Sequence, residues 1–184
     1  MRKIISILTI IIVTLTFTTG VFAVSYTPLG VPNINSSFKT WMDYKAITNR
    51  KSPQYRLLRN WGWIDYEGFV RFNGEHDLGI TDDYYAIALG SYYGSKIGTK
   101  YRITLSTGRV FYGVLADQKA DIHTNSTHQY AGNNDVVEFL VNTSYSSELP
   151  GGNNLLNSKV RSAGSANVYM PLNGSVTQIE RIDF

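Results

Sequence analysis

Hydrophobic residues in this chain fall into short runs rather than helical stripes. Tyr84-Tyr85-Ala86-Ile87-Ala88-Leu89 is continuously apolar, Tyr101-Arg102-Ile103-Thr104-Leu105 alternates, and Val110 to Ala116 and Val136 to Val141 return to near-continuous apolar character. A two-residue period predicts a half-buried strand, and an unbroken run of four to eight apolar residues fits a strand covered on both faces. Ser106-Thr107-Gly108 predicts a turn joining two of these strands into a hairpin. The only strong helix signal is Ser52-Pro53-Gln54-Tyr55, a capping residue followed by proline at the first helical position, which predicts one short helix from Pro53 to about Asn60, ended by Gly62. Trp63, Ile64, Tyr66, Phe69, Val70 and Phe72 read as extended segments broken by Gly68 and Gly74. Val24 to Asn35, with Pro28, Gly30 and Pro32, reads as an extended lead-in, and Phe38 to Ile47 as a strand or an irregular apolar edge. Ser144 to Asn157 has loop composition, and Lys159 to Gly164, Asn167 to Leu172 and Val176 to Ile182 read as strands. Many short strands with one minor helix and no internal repeat predict a small β-barrel or sandwich.

Two of the apolar runs carry a single acid, Asp117 at the end of Val114-Leu115-Ala116 and Glu138 within Val136-Val137-Phe139-Leu140-Val141. Desolvating a carboxylate costs several kcal/mol in rough terms unless donors meet it, and burial raises its pKa toward the range useful for proton transfer. Each acid has two open readings. Asp117 is a catalytic partner or an acceptor of structural hydrogen bonds. Glu138 is a proton-transfer group, a structural acid, or a residue turned to solvent by the alternation.

The N-terminus narrows the compartment. Met1-Arg2-Lys3 is basic, Ile4 to Phe17 is almost entirely apolar, and Val21-Phe22-Ala23 supplies small residues at the cleavage positions, so residues 1–23 read as a secretory signal peptide. Residues 24–184 then form a single domain, with a barrel core at about 83–184 and an N-terminal extension at 24–82. Taking Arg2 and Lys3 from the formal charge of +3 leaves +1, which excludes the strongly basic class of nucleic-acid binders. No cysteine is present, so a disulfide framework, a thiolate nucleophile, a Cys-based zinc site and a lipidated N-terminus are all excluded. A secreted or wall-associated protein, without a membrane anchor after cleavage and monomeric, is the expectation.

The central third resembles the double-psi β-barrel group of cell-wall proteins. Ala86-Ile87-Ala88-Leu89, then Ile97-Gly98-Thr99-Lys100-Tyr101-Arg102-Ile103, then Gly108-Arg109-Val110 and Val114-Leu115-Ala116-Asp117 follow that group's order of apolar strand, turn, alternating strand, glycine turn and apolar strand closing on Asp. Val137-Glu138-Phe139-Leu140 resembles its later acid-bearing strand. The relatives in question are three-aspartate (3D) domain proteins, lytic transglycosylases carrying that domain, and rare-lipoprotein-A-like and expansin-like barrels. The resemblance implies a mainly β fold, a small six-stranded double-psi β-barrel with an N-terminal extension and one short helix. It also implies peptidoglycan or another wall glycan as partner, without a cofactor, and either lytic cleavage of the glycan strand or non-catalytic wall binding and loosening. In lytic members an acid on the later strand protonates the glycosidic oxygen and then takes the proton of the muramic acid 6-hydroxyl. That role falls here on Glu138, with Asp117 as partner. Three departures accompany the likeness: Gly90-Ser91 stands where relatives carry a further Asp, the later acid is Glu, and a longer His-bearing loop links the two acids.

The remaining candidates surround these two. Lys119, His123 and Thr124 follow Asp117 in a polar loop that reads either as a glycan-positioning rim or as a solvated loop. Asp135, after Asn133-Asn134, is a third acid with the look of turn chemistry. Trp63, with its aromatic neighbours from Trp61 to Phe72, reads as a sugar-stacking surface or as core. His123 and His128 lack a third ligand at zinc spacing, so no metal is expected. Nucleophile-elbow and phosphate-cradling motifs are absent.

Overall fold

Strand β5, Tyr84–Leu89, is buried at all six positions, and the molecule is assembled around it. The computed structural model describes residues 24–59, 63–66, 69–72, 74, 82–143 and 156–184, with the side chains of 46, 63–66 and 156–158 left undescribed. The expected signal peptide at 1–23 and most of the expected loop at 144–157 lie outside these residues.

The fold is mainly β. Besides β5, the strands are β1 (Ser25–Leu29), β2 (Trp41–Asp43), β3 (Trp63–Tyr66), β4 (Phe69–Phe72), β6 (Lys100–Leu105), β7 (Val110–Gln118), β8 (Glu138–Val141) and β9 (Val176–Asp183). They join one sheet in the order β1-β9-β6-β7-β5-β4-β8-β2, with β3 paired to β4. The sheet is not closed, and among the described residues it has nine strands rather than the six expected from sequence. Four of the nine, β1 to β4, come from the segment before Tyr84, whose proline-rich lead-in is extended enough to pair: Ser25 to Leu29 runs antiparallel to β9.

One edge of β5 pairs in parallel with β7, and its other edge is shared, Tyr84 and Tyr85 pairing with β4 while Ile87 and Ala88 pair with β8. The expected β6–β7 hairpin is present, closed at Gly108 with φ +78° and a Gly108 N–H to Leu105 carbonyl bond of 2.8 Å. Gly113 serves closeness instead, since a Cβ there would lie 2.5 Å from Ile87 Cδ1. Both faces of the sheet are covered, which is why β5 reads as a continuous apolar run. Ile87, Leu115, Phe139 and Phe111 pack on one face, and Ala86, Val114, Ala116 and Leu140 on the other. Phe139 meets the rings of Phe69, Tyr85 and Phe111 at 5.4–5.6 Å between centroids, a cluster whose loss by truncation to alanine costs about 3–5 kcal/mol.

Helix α2, Pro53–Leu58, lies where predicted, with the Ser52 hydroxyl accepting from the Tyr55 N–H. Two further helices, α1 (Lys45–Thr48) and α3 (Leu156–Ala163), correct the single helix expected. The strands expected at Lys159–Gly164 and Asn167–Leu172 are instead the end of α3 and two 3-10 turns, Ala166–Val168 and Met170–Leu172. Gly164, at φ +68°, ends α3, and the Ser165 N–H returns to the Val160 carbonyl. That glycine marks a helix C-terminus rather than a strand end. Of the two readings of the aromatic segment, core holds for Phe69, Val70 and Phe72, which are buried and cannot stack a sugar. The Trp63 side chain and all of Trp61 lie outside the described residues.

Candidate acid pair on the central sheet

Ala88 is the pivot of the site. It pairs with Glu138 of β8 on one side and with Asp117 of β7 on the other. A bulge makes the second pairing possible: Ile87 faces Leu115 but Ala88 faces Asp117, so Ala116 is the extra residue. Directly paired residues share a face of a sheet, so both acids project on the face of Ala88, separated by one strand carrying a methyl group. Adjacent strands lie about 4.7–4.9 Å apart, which puts the two acidic backbones roughly 10 Å from one another, within range for their carboxyls to lean together.

The two carboxyls have different surroundings. Asp117 is half-buried and tied down, its Oδ1 accepting from the Gln54 side-chain amide at 2.8 Å and from the Gln118 N–H at 2.8 Å. Gln54 belongs to α2, so the helix predicted from the capping pattern fixes the first acid. Glu138 has a side-chain exposure of 23%, between the buried neighbours Val137 and Phe139. Burial is the largest influence on its carboxyl and pushes its pKa up; Lys119 opposes this, while the charges of Asp135 and Asp117 add to it.

Lys119 continues from β7, its N–H donating to the Leu89 carbonyl at 3.0 Å. Its ammonium is buried, 2.6 Å from Asp135 Oδ2 and 3.7 Å from Glu138 Oε2. Asp135 is fully buried and also accepts from the Thr40 N–H at 3.3 Å and from the Thr40 hydroxyl. The turn role expected for Asp135 is therefore replaced by a buried ion pair, and Lys119 is no rim residue open to a glycan. The Thr40 hydroxyl is also within reach of Glu138 and lowers its pKa slightly. Thus Glu138, Asp117, Lys119 and Asp135 come together.

His123 and Thr124 do not join them. His123 is exposed in the 3-10 turn Asp121–His123, and the Thr124 hydroxyl donates to the Asp121 carbonyl at 2.8 Å and sits 3.0 Å from His128 Nδ1. They form a separate loop cluster in which Ser91 Oγ donates to Asp121 Oδ1 at 2.6 Å. The loop also explains Gly90. A Cβ there would lie 1.9 Å from the His128 carbonyl oxygen, so no third acid fits at this position.

Thr40, Gln54 and Ala88 are site residues that the sequence reading did not single out. Gln54 sits in a predicted helix, but nothing local points its amide at Asp117. Thr40 lies in an ambiguous segment and reaches Asp135 only through the β2–β8 pairing. Clefts of about 600, 510 and 350 Å³ are lined by other residues. Among the described residues no helix is long and apolar enough to cross a membrane, and no group of three or more acidic or histidine side chains could hold a metal ion.

No protein-family model, curated protein or solved structure matches this chain.

Proposed function

We propose that this chain is an exported cell-wall protein, built on a double-psi-type arrangement of its central strands, that cleaves a peptidoglycan glycan strand by lytic-transglycosylase-like acid/base chemistry at Glu138. The observation that carries the reading is the placement of Asp117 and Glu138 on either side of Ala88, with the Glu138 carboxyl held toward its neutral form. A neutral carboxyl near neutral pH can donate to a leaving oxygen. In the proposed step the Glu138 proton passes to the glycosidic oxygen as its bond to C1 breaks. The resulting carboxylate then takes the proton of the 6-hydroxyl as that oxygen bonds to C1, giving a 1,6-anhydro sugar and regenerating the acid. Asp117, fixed by Gln54, supplies negative charge near the developing oxocarbenium ion and adds to the upward shift of the Glu138 pKa. Lys119 limits how far that pKa rises. Incubating the chain with peptidoglycan and analysing the soluble fragments tests this reading. Anhydromuramyl products from the native chain and none from a folded Glu138→Gln variant are expected; a native chain that releases none from several peptidoglycan types contradicts it.

One observation favours a non-catalytic, wall-binding or wall-loosening role. Gly90 is packed against the His128 carbonyl, leaving two acids on this face rather than three, and the described clefts open elsewhere. Retention on insoluble peptidoglycan without turnover would support this second reading.

A further inference from the structure

The cleft of about 600 Å³ is bounded by the segment Tyr93 to Tyr101 and by the end of β9, with Tyr93, Lys96, Lys100, Arg181 and Phe184 among its lining. Its floor is rigid: Lys100 pairs with Ile182 and Tyr101 with Arg181, and the Tyr101 hydroxyl donates to the Tyr93 carbonyl at 2.8 Å. Among the side chains lining the cleft three are cationic and one is a carboxylate, that of Asp183, which Arg181 already engages through Nε at 2.8 Å and a second nitrogen at 3.1 Å. Lys96 is exposed and makes no ion pair among the described residues. The Lys100 ammonium sits 4.8 Å from the Tyr84 ring centre and 5.0 Å from that of Phe184, a residue 57% exposed.

The second feature is Tyr93. The residue is 3% exposed and its hydroxyl has no hydrogen-bond partner among the described residues. A buried donor left unpaired carries its full desolvation cost, so such groups call for an explanation. Burial, with Tyr92 alongside, pushes the phenol pKa up, which keeps the hydroxyl protonated as a donor. Tyr93 lines the cleft, an acceptor oxygen that reached its hydroxyl would satisfy it, and the cations lining the same cleft select an anionic one.

We infer that this cleft is a binding site for an acidic sugar, one whose carboxylate or phosphate sits among Lys96, Lys100 and Arg181 and accepts from the Tyr93 hydroxyl, while its ring lies on Phe184. The exposed aromatic face beside a cationic cluster suits a carbohydrate ring bearing one oxyanion better than a bare anion. The site is separate from Glu138 and stands whether or not that residue cleaves glycan.

Chemical-shift titration of the isotope-labelled whole chain tests it, with N-acetylmuramic acid as carboxylate probe, glucosamine 6-phosphate as phosphate probe and N-acetylglucosamine as neutral control. At least one acidic sugar is expected to shift the backbone signals of 94–101 and 181–184, and to bind about tenfold or more tightly than the neutral sugar. Whichever probe binds identifies the oxyanion. Lys96→Glu and Tyr93→Phe should each weaken that binding by roughly tenfold, and Tyr93→Phe should melt no lower than the native chain because it removes an unpartnered buried group. Equal binding of all three sugars, no binding, unchanged affinity in either variant, or a lowered melting temperature for Tyr93→Phe would overturn the assignment.

Discussion

Glu138 and Asp135 are three residues apart in sequence, and their environments give them opposite tasks. Asp135 is buried against an ammonium and two donors from Thr40, the setting of a structural ion pair. Glu138 meets the same ammonium at the longer distance of 3.7 Å, and burial outweighs that cation and raises its pKa. A carboxyl whose folded value lies above its unfolded one holds more protons in the folded chain between those values, so stability falls as pH rises through that window. Glu138→Gln should therefore melt at the same or a higher temperature at neutral pH, and the difference should vanish below the ordinary carboxylate range; melting curves across pH check this. If Glu138 is the acid, cleavage should fall as pH rises through its raised pKa. Lys119→Met removes the ammonium 2.6 Å from the buried Asp135 carboxylate, a loss of about 3–5 kcal/mol by denaturant titration. Lys119→Met with Asp135→Asn should recover most of that loss. Little of this was legible in the sequence: Asp135 follows two asparagines and looks like turn chemistry, because its partners Thr40 and Lys119 come from other elements.

At the scale of elements, local patterns were readable where local forces decide. The Ser52-Pro53 cap placed α2, alternation placed β6, and Gly108 placed the hairpin turn. Ser52→Ala removes the side-chain acceptor of the Tyr55 N–H and should cost about 1 kcal/mol. It should also loosen Gln54 from Asp117, a change visible in the Gln54 side-chain amide resonances. Where packing decides, the pattern misled. Lys159 to Ala163 belongs to α3, and Val160 alone among the described residues of that helix reaches the core, too sparse a signal for periodicity to resolve. Gly90 was read as a missing acid, and its actual role is to admit the His128 carbonyl. Gly90→Ala should lower stability by about 1–3 kcal/mol through overpacking, and by more if the His128 loop cannot shift.

For the whole molecule, composition and hydrophobic pattern gave the mainly β class, because continuous apolar runs require cover on both faces and the sheet receives it. The strand count was underestimated for a physical reason: prolines at 28 and 32 argue against regular structure, yet a proline is tolerated in an edge strand, and β1 is one. The bulge at Ala116 was invisible in sequence, although it decides the site, since without it Asp117 would turn to the face opposite Glu138. The two interrupted apolar runs therefore form one arrangement about Ala88, and the function proposed for it depends on a single proton.

Mass-spectrometric analysis of the soluble fragments from peptidoglycan, incubated in parallel with the native chain and with Glu138→Gln of verified fold, tests this account most directly. It predicts 1,6-anhydromuramyl fragments from the native chain and their loss in the variant. Equal yields from both, or none from a folded native chain, would contradict it.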